Sequence, residues 1–195
     1  MSLFSKTCLL SFCVGLGWAC SSAAPTDVPG VSAVGDHVRR TAGTELEVVL
    51  SSRYASGHLG EEYLILGVSL SGADGGKTVK VDRAGITAQT PDRRKLPLMS
   101  QEDFRAVFGK LNAAARGAEL SSPTALDSRP MKRPCNEWFF RAPSDGLTRD
   151  VLFITPVEVC DGLLCFHVPG GVQPWRWEHE SALEESADEI PFVLD

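Results

Sequence analysis

The chain has 195 residues, a formal net charge of −6 and 43% hydrophobic residues. This length suffices for a single domain with an adequate core. An acidic chain without basic clusters is a poor candidate for binding nucleic acid or anionic lipid headgroups, so we expect no nucleic-acid partner. Beyond the N-terminal region, no segment is apolar over the roughly 20 residues that a membrane-spanning helix needs.

The N-terminal segment has the three parts of a secretory signal. Lys6 is its only charged residue, residues 8–19 form an uncharged and mostly apolar run, and small residues follow at 21–24. The run is too short for a membrane anchor. Because the cation, the apolar run and the small residues come in the order typical of a signal, we predict a signal peptide over residues 1–20 rather than a buried helix.

The end of this signal resembles the lipobox of bacterial lipoproteins. Residues 16–20 are LGWAC, in which the alanine and Cys20 match the pattern, whereas the leucine lies one place early and Trp18 replaces a small residue. The resemblance implies that Cys20 is lipidated, that it becomes the new N-terminus, and that it attaches the protein to the membrane of the cell envelope. Ordinary cleavage after Ala23, which would give a periplasmic or extracellular protein, is the alternative.

Residues 21–43 are rich in Ser, Ala, Pro and Gly and predict a flexible linker, followed by one β-rich domain over residues 44–195. The domain opens with segments of strand-like alternation and β-branched residues. These segments are residues 45–50, 63–70, 78–82 and 85–89. The turn residues 71–76 predict that the second and third of these strands form a hairpin.

One amphipathic helix is predicted over about residues 100–116. Ser100 is a candidate N-cap, Asp103 completes a capping-box-like pattern, and Gly117 ends the run. One face of this helix carries an apolar stripe at the spacing typical of core contact. The stripe consists of Phe104, Val107, Phe108 and Leu111.

The last third of the chain predicts a loop over 118–134 and then further short strands. These strands are residues 138–141, 151–155, 157–160, 163–168, 175–177 and an edge strand at 190–194. Asp161 and Gly162 predict a tight hairpin turn, and the acid-rich residues 178–189 predict a solvated loop. Many short strands with one inserted helix favour a mainly β fold, an antiparallel immunoglobulin-like β-sandwich.

Three cysteines, Cys135, Cys160 and Cys165, remain after removal of the signal and its Cys20. Export favours a disulfide. The predicted turn places Cys160 and Cys165 about 7–8 Å apart as diagonal neighbours, which is at the limit for bridging. We therefore favour a disulfide between Cys135 and Cys160.

Two alternatives concern a ligand. Cys135, Cys160, Cys165 and His167 have the donor types of a zinc site, which would make the protein a metal carrier or a metal-dependent hydrolase. Separately, Trp175 and Trp177 lie on one side of a predicted strand and could line a sugar- or peptide-binding face. Core packing and a structural disulfide are the favoured interpretations of these residues.

No catalytic residue and no cofactor follow from the sequence. Residues 71–78 end like a phosphate loop, but a strand follows where a helix would be needed. The spacing of Arg133-Pro-Cys135 and of Cys160 to Trp175 resembles uncharacterised exported bacterial proteins over about the last third of the chain. This resemblance implies secretion and a β domain without an activity. The function that we expect is a non-enzymatic envelope protein that binds a protein, peptide or glycan.

Overall fold

A computed structural model describes residues 30–120, 132–143, 147–174, 176–182 and 187–193. The predicted signal peptide, Cys20 and residues 21–29 of the predicted linker lie outside this part of the chain. The described strands are β1 (Val31–Gly35), β2 (Val38–Ala42), β3 (Leu46–Ser51), β4 (Tyr63–Gly72), β5 (Val79–Asp82), β6 (Ile86–Gln89), β7 (Lys95–Pro97), β8 (Arg133–Pro134), β9 (Val151–Ile154), β10 (Glu158–His167), β11 (Arg176–Ala182) and β12 (Ala187–Val193). The helices are α1 (Arg53–Ser56) and α2 (Gln101–Leu120), with a 3₁₀ turn at Arg83–Gly85.

These strands form three sheets, with the orders β1-β2-β3-β4-β10-β8, β12-β11-β6-β7 and β5-β9. The described pairs are antiparallel except for the short parallel pair of β8 with β10. The prediction of a mainly β, antiparallel fold with one long helix is confirmed at the level of fold class.

The centre of the largest sheet is buried on both faces. Leu66 of β4 lies opposite Leu164 of β10, and both side chains are buried. Leu164 lines a small void together with Val81 of β5 and Ile86 of β6, which belong to the other two sheets. On the other face, Tyr63 of β4 shares a groove with residues of α2. A strand covered on both faces must be apolar at successive positions, which explains the continuous apolar run of β4.

Helix α2 begins as the sequence predicts and ends later. The Asp103 amide donates to Oγ of Ser100 at 3.0 Å, which confirms the N-cap. The prediction that Gly117 ends the helix is wrong, because α2 continues to Leu120. Gly117 has another role: a β-carbon there would lie 2.8 Å from Cε2 of Tyr54, so glycine lets that ring pack against the helix.

The predicted hairpin turn at Asp161 and Gly162 is also wrong. Strand β10 runs without interruption from Glu158 to His167 and pairs with β4 along most of its length. A β-carbon at position 162 would overlap the indole ring of Trp138. Gly162 is therefore a site of close approach inside a strand, which is the other common reason for a glycine there.

Strand pairing and three further segments differ from the predictions. β4 pairs with β3 and β10, and β5 pairs with β9, so the turn at 71–76 does not join a hairpin. Residues 138–141 are irregular rather than a strand, and their aromatic side chains are buried. Residues 31–42 of the predicted linker form the β1–β2 hairpin, and the predicted acidic loop at 178–189 belongs largely to β11 and β12.

Within the described residues, no helix has both the length and the apolar character that crossing a bilayer requires.

Candidate ligand-binding cleft

Cys135 and Cys160 form a disulfide, with their Cα atoms 4.8 Å apart. This is the pair that the sequence analysis favours, although the geometry differs from the expected one. Cys160 lies within β10 and not beside a turn. Cys135 reaches it because its amide donates to the carbonyl oxygen of Val159 at 2.8 Å, which continues the β8–β10 pairing.

The third cysteine lies away from this bridge. Cys165 is five positions further along β10, so its side chain points to the opposite face of the sheet. It is fully buried, and burial raises the pKa of its thiol to about 12. His167 is exposed, with its ring 5.6 Å from that of Tyr63. The structure does not bring Cys135, Cys160, Cys165 and His167 together, so the tetrahedral zinc site considered from sequence is not formed by them.

The two tryptophans considered as a ligand face remain untested. Trp175 lies outside the described residues. The backbone of Trp177 belongs to β11, opposite Phe192 of β12. The hypothesis that these two side chains line a binding face therefore stays a prediction.

The structure shows a cleft of about 500 Å³ between α2, the irregular segment 135–142 and β10. One wall is a single line of α2 residues at intervals of four: Phe104, Phe108, Asn112 and Arg116. Residues at this spacing lie on one side of a helix. At 1.5 Å per residue, the line extends about 18 Å. Its character changes from aromatic at the start of the helix to polar and cationic further along.

The facing wall is held to the helix and to the sheet by side chains. The Gln101 amide donates to the Arg141 carbonyl oxygen at 2.8 Å, and its oxygen accepts from the Arg141 amide at 3.2 Å. Nε1 of Trp138 donates to the carbonyl oxygen of Leu163 at 2.9 Å, while the indole covers Gly162. These bonds provide partners for backbone groups of Arg141, in the irregular segment, and of Leu163, in β10.

Arg83 supports the same wall from the interior. Its side chain is largely buried, and its terminal nitrogens donate to three carbonyl oxygens. These oxygens belong to Met99, Phe139 and Arg149, at 2.9, 2.5 and 3.2 Å. Burial lowers the pKa of the guanidinium, and Asp150, 2.9 Å from Nε, opposes this shift. A guanidinium is suited to this position because its donors are arranged in a fixed fork.

Four charged side chains border the cleft. Arg116 is exposed, and Arg141 is half-buried with Nη2 donating to the carbonyl oxygen of Asn136. Neither arginine forms an ion pair with a carboxylate of the described residues. Glu137, in contrast, is bonded to Arg149 at 2.8 Å. The fourth, Asp161, is partly buried on β10. The cleft therefore offers two guanidinium groups that are not neutralised by a carboxylate of the described residues.

Comparison with protein-family models, with curated proteins and with solved structures found no match to this chain. Its function must therefore be inferred from the geometry.

Sequence reasoning did not predict this cleft, although it named Phe104 and Phe108 as core contacts and Cys135 as a disulfide partner. The signal that could have revealed the helix wall is the four-residue spacing itself, because Asn112 and Arg116 continue the line of Phe104 and Phe108 beyond the apolar stripe. No local pattern indicates that Arg83 supports the other wall, since its three acceptors lie 16 to 66 positions further along the chain.

A second, more open groove of about 740 Å³ lies between α1, the start of β4 and another side of α2. Tyr54 and His58 stack on each other there, with ring centroids 3.8 Å apart, and Nδ1 of His58 lies 2.7 Å from the Tyr54 carbonyl oxygen. These two rings therefore already contact each other and the backbone of this chain. The first cleft is the stronger candidate because it is bordered by two guanidinium groups that have no carboxylate partner among the described residues.

Proposed function

We propose that this chain is an exported envelope protein whose β domain binds a ligand, without catalysing a reaction, in the cleft between α2 and segment 135–142. The observation that carries the proposal is the Cys135–Cys160 disulfide, which joins one wall of the cleft to β10. Disulfides persist in oxidising compartments outside the cytoplasm. The bridge thus supports export and, at the same time, a cleft with a fixed shape.

A binding role fits the way in which the wall is built. Segment 135–142 has no regular secondary structure, yet it is held by a disulfide, by the amide of Gln101 and by the guanidinium of Arg83. A binding surface that is ordered before its ligand arrives loses less conformational entropy on association. The disulfide and these hydrogen bonds together order one short segment before a ligand binds, as such a surface requires.

Attachment to the membrane through a lipid on Cys20 is part of the proposal, and it is supported by the lipobox-like residues 16–20. The description of the fold as an immunoglobulin-like sandwich also stays a prediction. Its support is the predominance of antiparallel pairs among the described strands.

Site-specific photocrosslinking in the cells that naturally export this chain tests the binding role. A benzophenone amino acid replaces Asn112 in the cleft wall or, as the control, Ala106, which is exposed on α2 outside the cleft. We expect an adduct from position 112 and none from position 106. Adducts from neither position, or equally from both, would contradict binding in the cleft.

A further inference from the structure

The arrangement of charge along the cleft indicates what kind of ligand it accepts. Arg141 lies at the beginning of α2, where its backbone bonds to Gln101. Arg116 lies near the other end of the helix wall, 12 residues beyond Phe104 and thus about 18 Å along the axis at 1.5 Å per residue. Phe104 and Phe108 lie near the Arg141 end, and Asn112 lies between them and Arg116. The order of residues along the helix wall is therefore Arg141, the two phenylalanines, of which Phe108 is the more exposed, then Asn112 and Arg116, with Nη2 of Arg141 donating to the carbonyl oxygen of Asn136.

From this order we infer that the cleft binds an extended acidic peptide, with a carboxylate near each end and an apolar side chain between them. An extended peptide rises about 3.3 Å per residue, so five or six residues match the length of the helix wall. Guanidinium groups form paired hydrogen bonds with carboxylates. The side-chain amides of Asn112 and Asn136 can donate to, and accept from, the peptide groups between these ends.

The carboxylates of the cleft do not cancel this preference. Glu137 is engaged by Arg149, from which both Nε and Nη2 donate to the same oxygen at 3.1 and 2.8 Å. Asp161 is partly buried on β10 and already has an interaction partner. Both carboxylates of the cleft are therefore already engaged, whereas neither guanidinium has a carboxylate partner among the described residues.

The polarity of the cleft walls favours a peptide over an acyl chain as the ligand. Trp138, Phe104 and Phe140 are largely buried and expose little surface, whereas Asn112 and Asn136 contribute polar groups along the cleft. An acyl chain would leave these amides without partners in a site from which it excludes water, and this is costly. A peptide supplies a donor and an acceptor at every residue.

This inference rests on the proposed function, and its test uses a defined probe. The probe is a fluorescein-labelled hexapeptide with glutamate at both ends and leucine and alanine between them, and the matched peptide has glutamine at both ends. Fluorescence anisotropy with the full mature chain should show at least about tenfold tighter binding of the glutamate peptide, as expected for one charge-assisted contact. Higher salt should reduce this difference, because the cleft is open to solvent.

Three arginine variants test whether the glutamate peptide binds in the cleft. Arg116→Gln and Arg141→Gln should each weaken binding of the glutamate peptide about fivefold or more. Arg53→Gln, which removes an exposed arginine of α1 outside the cleft, should change it little. Because Arg116 is exposed on a helix surface, its variant should fold normally, which a thermal melt checks.

Equal binding of the two peptides, or equal loss in all three variants, would overturn the inference, as would displacement of the probe by millimolar inorganic phosphate. If the peptide fails while the crosslink from Asn112 persists, the cleft binds a ligand of another class and only this inference falls. If both fail, the proposed function falls as well.

Discussion

The indole ring of Trp138 occupies the space that a β-carbon at position 162 would fill, so Gly162 is what allows this ring to close over β10. The indole nitrogen then reaches the carbonyl oxygen of Leu163, the next residue of the strand, at 2.9 Å. One small residue in a central strand thus sets the position of the wall of the cleft.

We expect Gly162→Ala to lower the free energy of unfolding by about 2–3 kcal/mol, the upper part of the range for an overpacked core, because the added β-carbon would overlap the Trp138 ring. In most strand interiors the same change would be neutral or stabilising, because glycine is the less favourable residue there. Urea denaturation followed by tryptophan fluorescence measures the effect. Gly109→Ala in α2 is the control: position 109 is exposed with open space around it, and the change should stabilise the chain by up to about 1 kcal/mol. Equal stability of the position-162 variant and the wild type would contradict the role assigned to Trp138.

Removal of the disulfide by replacing both Cys135 and Cys160 with alanine should cost about 3 kcal/mol. The bridge joins residues 25 positions apart, and the loss reflects the larger conformational entropy of the unfolded chain. Hydrogen exchange should increase most in residues 132–143. Addition of a reductant provides the control, since it should destabilise the wild type and leave the double variant unchanged.

Cys165 should resist alkylation until the protein unfolds. Its thiol is buried, with a pKa raised to about 12, so the reactive thiolate is scarce at pH 8. Iodoacetamide should therefore label Cys165 only in denaturant. Peptide mapping without reduction should recover Cys135 joined to Cys160 in the same sample. Rapid labelling of the native protein at Cys165 would show that β10 is not buried as described.

Arg83→Met should destabilise the protein by about 2–4 kcal/mol, because it leaves three carbonyl oxygens in the interior without their donors. Arg94→Met is the matched control. Its ion pair with Asp92 is exposed on both sides, and such pairs contribute little to stability. Denaturant midpoints of the two variants give the comparison. A similar small loss in both would mean that water replaces the guanidinium at position 83.

Lipidation is tested at the N-terminus, outside the described residues. When the chain is expressed in a Gram-negative host, a shorter mature form should appear in the envelope fraction. A palmitate analogue should label the wild type and not Cys20→Ser. Label that persists in the variant, or that is missing from the wild type, would favour ordinary cleavage after Ala23.

The features that local sequence rules predicted well depend on neighbouring residues. Ser100 caps α2 through a contact three residues away, and the apolar run of β4 predicts a buried strand wherever its partners lie. The disulfide was within reach because the predicted export favours a bridge and three cysteines allow few pairings. The pattern of residues therefore sufficed for the mainly β class and for the helix, whereas the correct cysteine pair was reached through a hairpin turn that the structure does not contain.

The features that were missed depend on contacts far apart in sequence. An aspartate followed by glycine predicts a turn, yet Gly162 serves Trp138, 24 positions earlier. Residues 138–141 have the composition of a strand, but Arg83 and Gln101 occupy backbone groups that a neighbouring strand would need. The cleft consists of such contacts. For this reason its residues could not be assembled from the sequence.

The position of Cys165 on the opposite face of β10 has a consequence for oxidation in the cell. The three cysteines outside the predicted signal and Cys20 allow three possible pairs, and in the unfolded chain no folded structure selects the native one. Once β10 has paired with β4, Cys165 is enclosed and only one pair can form. A chain oxidised too early carries a wrong bridge together with a free thiol, and that thiol can attack the bridge by thiol–disulfide exchange. Both wrong pairs contain Cys165, so the free thiol of a mispaired chain is Cys135 or Cys160. Its attack on the wrong bridge releases Cys165, and folding then buries the released thiol.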